Sequence, residues 1–250
     1  MKRLTLQLFI VLLLSSLVLA ACGGGQQAKV VVATDATWPS FESVDETSKE
    51  IVGLDIDLMN AIAKEAGIEI EYSNVPWDSL LAGMAQCQYD AAISAMTITP
   101  ERAEQFAFSD PYFAAGQVVT VRVDNTDITG KDSLAGKVIG VQLGTTGDIE
   151  AQKIAGATVK NYDDIGLAFQ DLMNGQIDAV IADNPLALGY VGQNSDKIKT
   201  VGEVFTDEFY GIAVCKDKTD LVAQINKGLA TVKAQGLIEE LTAKWISGGQ

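Results

Sequence analysis

The chain has 250 residues, 48% of them hydrophobic, and a formal net charge of −15 at pH 7. This length suits one large domain or two smaller lobes with a packed core. The negative charge argues against nucleic acid and anionic membrane surfaces as partners, although it can also simply keep a protein soluble. The sequence contains no histidine, so many enzyme mechanisms lack their commonest general base and metal ligand.

The first residues have the features of an export signal. Two basic residues precede an apolar run at 4–19, which is too short and too poorly bounded for a membrane span. The run ends in Leu19-Ala20-Ala21-Cys22, which resembles the lipobox of bacterial lipoproteins, where the cysteine is acylated after cleavage; the alternative is an ordinary signal with an incidental cysteine. The prediction is a signal peptide at 1–21 and a flexible tether at 22–27 that starts at the lipidated Cys22.

Predicted strands and helices alternate through the first hundred residues. Apolar residues at helical spacing predict a helix that Gly67 ends. The apolar face of this helix consists of Leu54, Leu58, Ile62 and Ala66. The other predicted elements are a strand at 29–33, a strand at 68–72, a helix at 77–86 capped by Asp78, a buried strand at 90–96 and a helix that starts at Pro100 with Thr99 as its cap. This alternation predicts an α/β fold.

A similar alternation restarts in the second half. The predicted elements are a strand at 137–142, a tight loop at 144–147 that opens a helix, a helix at 163–174 before Gly175, a strand at 178–182, a helix from Asn184, a strand at 211–215 and two C-terminal helices from about Thr219 through Trp245. The similarity of 89–93 to 177–181 suggests two related lobes, although so short a match can arise by chance. Two extended stretches, 117–121 and 209–214, are candidates for crossing between them.

The ends of the predicted strands indicate where a ligand binds, because ligands in open α/β sheets lie beyond the carboxyl ends of the strands. The residues found there suit a small zwitterion. The loop at 144–147 is too short for a phosphate-binding loop and lacks its lysine, which argues against a nucleotide. The selected residues are Thr34 to Trp38, Trp77, Ser94, Thr97, Arg102, Gln142 to Gly147 and Asp183.

The charged and aromatic candidates divide by chemistry. Arg102 can make two parallel charge-assisted hydrogen bonds to an α-carboxylate, and Asp183 can pair with an α-ammonium. Trp38 and Trp77 can enclose a cationic side chain, each ring contributing about 0.5–2 kcal/mol. The alternatives are that Arg102 is a surface residue, that Asp183 only caps a helix and that the tryptophans are core aromatics. Candidate counter-charges are Asp35, Glu42 and Asp55.

Six motifs extend this pattern along the chain. They are Thr-Asp-Ala-Thr-Trp-Pro-Ser-Phe-Glu at 34–42, Gly-Leu-Asp-Ile-Asp-Leu at 53–58, Ser-Ala-Met-Thr-Ile-Thr-Pro-Glu-Arg at 94–102, Phe-Ser-Asp-Pro-Tyr at 108–112, Gly-Val-Gln-Leu-Gly-Thr-Thr-Gly at 140–147 and Asp-Ala-Val-Ile-Ala-Asp at 178–183. Over about 28–247 the chain resembles the family-3 bacterial extracellular solute-binding proteins, the receptors of polar amino-acid ABC importers.

The resemblance implies a type II periplasmic-binding-protein-like α/β fold. Two lobes, 28–118 plus 213–250 and 119–212, are joined by two crossover strands, and they close by a hinge motion on a ligand in the cleft between them. It also implies that Cys215 lies beside Cys87, because the strand at 211–215 runs antiparallel to the one at 90–94; a disulfide is then expected, the alternative being two buried thiols.

The resemblance also implies roles for individual residues. Arg102, Thr97 and the Thr146 backbone bind the α-carboxylate, Ser94 and Asp183 bind the α-ammonium, Trp38 and Trp77 flank the side chain, and Gln142 lies near it. The full expected ligand-binding set is Asp35, Trp38, Glu42, Trp77, Ser94, Ala95, Met96, Thr97, Arg102, Gln142, Thr145, Thr146 and Asp183. No catalytic residue, metal or cofactor is expected.

The expected function is that of an extracytoplasmic, lipid-anchored, monomeric receptor that delivers a free L-amino acid to the permease of an ABC importer. A basic amino acid, arginine or lysine, is favoured, because a buried Glu42 that faces the ligand is costly without a cation. The alternatives are glutamine or another polar neutral amino acid, a dehydratase-like enzyme on the same fold, and a sensor that signals through a separate partner.

Overall fold

The computed structural model describes residues 29–247, so the predicted signal peptide, tether and lipidated Cys22 lie outside the described residues. Within this range two five-stranded sheets form two α/β lobes. None of the helices between residues 29 and 247 is long and apolar enough to cross a membrane.

The first lobe contains most of the N-terminal half and the C-terminal segment. Its sheet consists of β1 (Val30–Thr34), β5 (Ile70–Asn74), β6 (Ala91–Ala92), β7 (Ala107–Phe108) and β15 (Ala213–Val214), in the order β5-β1-β6-β15-β7. Strand β1 is parallel to β5 and β6, and β15 is antiparallel to both of its neighbours. A small antiparallel sheet beside it contains β2 (Thr37–Trp38), β3 (Glu42–Val44) and β4 (Ile51–Val52).

The helices of the first lobe are α1 (Leu54–Ala66), α2 (Trp77–Ala85), α3 (Pro100–Ala103), α7 (Thr219–Ala234) and α8 (Leu237–Thr242), followed by a π-helical turn at Ala243–Ser247. Helices α1 and α7 pack closely. A Cβ atom at Gly228 would lie 2.6 Å from the carbonyl oxygen of Ile62, so only glycine permits this approach.

The second lobe has the strand order β11-β10-β12-β9-β13. These strands are β9 (Gln117–Arg122), β10 (Val138–Gln142), β11 (Thr158–Tyr162), β12 (Ala179–Asp183) and β13 (Ile198–Val201). Its helices are α4 (Thr146–Gln152), α5 (Ile165–Met173) and α6 (Asn184–Gln193), and a 3-10 turn lies at Lys131–Ser133. Strand β10 is parallel to β11 and β12, whereas β9 is antiparallel to β12 and β13.

A two-stranded antiparallel ribbon joins the lobes. It pairs β8 (Phe113–Ala115) with β14 (Glu208–Tyr210). The prediction that residues 117–121 cross between the lobes is wrong, because these residues form part of β9 inside the second sheet. The chain therefore crosses slightly earlier than predicted.

Helix boundaries follow local chemistry at most predicted positions. Gly67 ends α1 in the left-handed conformation, and the hydroxyl of Thr99 accepts a hydrogen bond from the Arg102 amide before Pro100 starts α3, as predicted. Asp78 is not a cap: it lies in the first turn of α2, after Pro76, and accepts from the Ser79 amide. The prediction failed because the helix begins at Trp77 with Pro76 in the N-cap position, so Asp78 already lies inside it.

The structure contains a disulfide between Cys87 and Cys215, whose Cα atoms are 5.1 Å apart. The two cysteines meet because β15 runs antiparallel to β6, pairing Val214 with Ala91, and because the Cys215 amide donates to the Asp90 carbonyl. The disulfide therefore joins the returning strand to the centre of the first sheet, at the end opposite the carboxyl termini of the parallel strands.

Candidate functional site

A cleft of about 310 Å³ lies between the two lobes. Its lining consists of Asp35, Trp38, Glu42, Trp77, Ser94, Ala95, Thr97, Arg102, Gln142, Thr145, Thr146 and Asp183. The carboxyl ends of strands from both sheets supply much of this set, as the strand-end rule predicts.

Met96 belongs to the predicted set but does not line the cleft. Its side chain is fully buried among apolar residues that include Leu80 and Met84. The predicted strand at 90–96 ends after Ala92, and Ala95 has a φ of 43°, so the chain turns there and the strand alternation is lost. Ser94 therefore faces the cleft while Met96 enters the core.

One end of the cleft presents a buried cation. Arg102 is 8% exposed and projects from the short helix α3. Its Nη1 donates to the Thr97 carbonyl at 2.8 Å, and its Nη2 crosses to the Gly144 carbonyl of the second lobe at 3.2 Å. Burial lowers the pKa of Arg102 to about 10, so the guanidinium stays charged at neutral pH. Arg102 is thus not a surface residue, and its remaining N–H groups are available for an anion.

Asp183 provides the anionic counterpart on the second lobe. It occupies the N-cap position of α6, but its side chain makes no capping hydrogen bond. Instead, Oδ2 accepts from the hydroxyl of Tyr210 at 2.6 Å and Oδ1 accepts from the side-chain Nε2 of Gln117. Burial, followed by the charge of Glu208, raises the pKa of Asp183 to about 7. The charge of Arg102 opposes this rise, and a further positive group beside Asp183 would stabilise its ionised form.

Ser94 is held in place between two other site residues. Its Oγ accepts from the Asp35 amide at 3.0 Å and donates to Glu42 Oε1 at 2.9 Å. A hydroxyl whose proton is committed to a carboxylate presents its lone pairs to a donor. This arrangement suits an ammonium group better than an anion.

The far end of the cleft is aromatic and acidic. Trp38 and Trp77 are both mostly buried and both line the cleft, and the Arg102 guanidinium lies 5.1 Å from the centroid of the Trp77 ring. The Asp35 carboxylate accepts from Thr37 and, across the lobes, from Gln142 Nε2 at 3.2 Å. Burial raises the pKa of Asp35.

Glu42 and Asp55 form a fully buried carboxyl pair behind Ser94. One oxygen of each has no other partner among the described residues, which leaves the two groups to bond to each other. Burial, with the charge of Asp55, raises the pKa of Glu42 well above its usual range, and burial raises that of Asp55 to about 6. We interpret this as one proton shared between two carboxyls.

The second oxygen of Asp55 accepts from the Ala95 amide at 2.7 Å and from the Tyr112 hydroxyl at 2.8 Å. Asp55 therefore supports the turn that carries Ser94 and does not line the cleft. Of the candidate counter-charges, Asp35 and Glu42 line the cleft, whereas Asp55 acts indirectly, through Glu42 and through the turn at Ala95.

Three further residues, which the sequence did not predict, form hydrogen bonds with residues that line the cleft. Glu208 and Tyr210 come from the connecting strand β14, and Gln117 begins β9. Glu208 and Tyr210 lie two residues apart, a spacing that places both side chains on one face of a strand, but the predicted extended stretch begins only at residue 209.

Both the sequence and the fold are similar to those of known proteins. The family described as "Bacterial extracellular solute-binding proteins, family 3" matches residues 30–248. The "ABC transporter arginine-binding protein 1" of Escherichia coli (strain K12) is 38% identical, with 87% of this chain and 90% of that protein covered.

Two solved structures are similar to the whole described fold. "An ancestral arginine-binding protein bound to arginine" is 42% identical, with a TM-score of 0.83, covering 88% of this chain and 99% of that one. "An ancestral arginine-binding protein bound to glutamine" is 42% identical, also with a TM-score of 0.83, covering 90% of this chain and 100% of that one.

Proposed function

This chain belongs to the bacterial extracellular solute-binding proteins of family 3, and we propose on that premise that it is the extracytoplasmic receptor of an ABC importer for a basic amino acid, arginine or lysine. The observation that carries the proposal is the arrangement of charge in one interlobe cleft. A buried arginine at one end faces a buried aspartate on the other lobe, and further carboxyl groups line the far end.

The backbone of the amino acid fits the first two groups. Arg102, with Thr97 and the Thr146 amide, binds the α-carboxylate, and Asp183 with Ser94 binds the α-ammonium. The distances from Arg102 to groups of both lobes support this orientation. A ligand that bridges the lobes interacts more strongly with the closed arrangement, so it shifts the population towards closure.

The side-chain pocket supports a cation. Burial raises the pKa of Asp35, a positive ligand beside it would favour its ionised form, and the Glu42–Asp55 pair carries one further negative charge while it shares one proton. Trp38 and Trp77 contribute aromatic rings to the lining, and Gln142 Nε2 adds a donor from the second lobe. Ala95 and Thr145 complete the walls.

Glutamine is the second candidate ligand. The Asp35 carboxylate in the cleft lining can accept from the N–H groups of a neutral side-chain amide as well as from a cation, so the pocket does not exclude glutamine. A solved relative that binds glutamine within the same fold supports this alternative.

We further propose that the mature protein is a monomer anchored by lipid at Cys22, with the permease of the importer as its partner. The pattern Leu19-Ala20-Ala21-Cys22 after an apolar run supports the anchor. Mass spectrometry of detergent-extracted protein is expected to find an N-terminal Cys22 carrying a diacylglycerol. A Cys22→Ser chain is expected to lose the lipid; an unmodified mature Cys22 would refute the anchor.

Isothermal calorimetry tests the ligand. The mature domain, refolded to remove bound solute, is titrated with arginine, lysine, histidine, glutamine and glutamate. We expect one-to-one binding, with arginine or lysine far tighter than glutamine, and unchanged ligand after prolonged incubation. Tightest binding of glutamine would favour the second candidate, turnover would favour the dehydratase-like enzyme, and no binding by any of them would refute the amino-acid assignment.

A further inference from the structure

Glu208 occupies an unusual position, because it belongs to the ribbon between the lobes rather than to either lobe. It is the first residue of β14, its backbone pairs with Ala115 of β8, and its side chain is only 7% exposed. A buried carboxylate requires donors, and the lobes on both sides of the ribbon supply them.

The donors come from both lobes. Oε2 of Glu208 accepts from the Thr97 hydroxyl of the first lobe at 2.8 Å and from the Thr146 hydroxyl of the second lobe at 2.7 Å. The two hydroxyl oxygens are 3.5 Å apart. Oε1 accepts from Thr206 at 2.7 Å, and the Gln117 amide lies 3.4 Å from Oε2. One carboxylate thus gathers two threonines that lie across the cleft from each other.

A hinge opening would separate Thr97 from Thr146, so Glu208 cannot keep both bonds in an open cleft. The segment around Thr97 is tied to the ribbon by backbone hydrogen bonds from the Ile98 amide to the Phe209 carbonyl and from the Gly211 amide to the Met96 carbonyl. Thr97 therefore moves with Glu208. Thr146 instead starts α4 of the second lobe, so a hinge motion carries it away from the carboxylate.

We propose that Glu208 is a positioning residue for closure, a carboxylate that holds Thr146 of the second lobe against the ribbon and Thr97 and so favours the closed cleft before any ligand binds. The proposal goes beyond the proposed function, because it concerns the equilibrium between open and closed lobes and requires no particular amino acid. A larger closed fraction raises the apparent affinity for any ligand that binds the closed form.

Small-angle scattering of ligand-free protein tests this directly. Glu208→Ala is expected to enlarge the radius of gyration relative to the wild type. Glu208→Gln keeps a neutral acceptor, so its radius is expected to lie between those of the wild type and Glu208→Ala. Thr146→Val removes only the hydroxyl that opening separates, and is expected to match Glu208→Ala. The matched control is Glu150→Gln, since Glu150 pairs with Lys131 and Lys153 of its own lobe; it should leave the radius unchanged.

Calorimetry with arginine supplies the second readout. Glu208→Ala is expected to bind about tenfold more weakly or worse, the value of one hydrogen bond to a charged group. Thermal unfolding confirms that each variant is folded. If Glu208→Ala is not folded, Glu208→Gln takes its place in both measurements. Equal ligand-free radii of the wild type and the Glu208 variants would overturn the proposal, even if affinity fell. If no amino acid bound, the ligand-free radii would still decide it.

Discussion

Arg102→Ala is expected to abolish measurable amino-acid binding while the fold persists. The α-carboxylate would enter a buried site that has lost its cation, and leaving a buried charge without its partner costs about 3–5 kcal/mol, which is more than a hundredfold in affinity. Isothermal calorimetry with arginine measures the loss, and circular dichroism confirms the fold. Arg102→Lys keeps the charge but loses the planar fork, so an intermediate affinity is expected.

A ligand without the carboxylate identifies what Arg102 binds. Agmatine is arginine that lacks this group, and the wild type should bind it about as weakly as Arg102→Ala binds arginine. The variant should not distinguish arginine from agmatine, because the interaction is already absent. If the variant still preferred arginine over agmatine by the same factor as the wild type, Arg102 would not be the residue that binds the carboxylate.

Arg122→Ala is the matched control. Arg122 lies in the second lobe, donates to the Ile177 carbonyl and pairs with Asp124, far from the cleft residues. Its loss should lower stability without weakening the binding of arginine. Undiminished affinity in Arg102→Ala would refute the site assignment.

The strand-end rule located most of the cleft from sequence because parallel strands deliver their carboxyl ends to one edge. Gln142 ends β10 and Asp183 ends β12, so each position follows from a strand that its β-branched and apolar residues already predict. The caps at Thr99 and Gly67 were likewise predictable, because their chemistry involves only near neighbours in the chain.

The side chains that support the cleft could not be predicted in this way. Glu42 and Asp55 come from β3 and α1, and only the packing of these elements brings the two carboxyl groups together. The turn at Ala95 involves Asp55, which accepts from the Ala95 amide, and the sequence does not show that this turn takes Met96 away from the cleft lining. Long-range contacts of this kind leave no local pattern in the sequence.

Binding of an α-amino acid is expected to weaken by up to tenfold per pH unit below about pH 7. Burial and the charge of Glu208 raise the pKa of Asp183 to about 7, so in the ligand-free protein its carboxyl is largely protonated below that pH. An α-ammonium requires the ionised form. Binding at pH 6 must therefore release a proton, which calorimetry in buffers of different ionisation enthalpy counts directly.

Other groups near the cleft also respond to pH, so a second ligand is needed to separate the contribution of Asp183 from theirs. Arg102, Glu208, Gln117 and Tyr210 face Asp183, and Asp35 and the Glu42–Asp55 pair lie at the side-chain end. The probe is 5-guanidinopentanoate, which is arginine without its ammonium group. The pH dependence of its affinity reports every titrating group except the one that pairs with the ammonium. The difference between this pH dependence and that of arginine is therefore assigned to Asp183.

Asp183→Asn completes the test. The variant should bind arginine roughly a hundredfold more weakly at pH 8, because a buried ammonium loses its counter-charge, and this difference in slope should vanish.

The stability of the ligand-free protein gives the control. A carboxyl pKa raised from 3.8 means that the folded chain keeps a proton that the unfolded chain releases, so Asp183 destabilises the ligand-free protein as pH rises from about 4 to about 7. Asp183→Asn should then unfold at no lower temperature than the wild type at pH 8. A pH slope that survives in Asp183→Asn would assign the ammonium to another carboxylate, with Asp35 and Glu42 the next to replace.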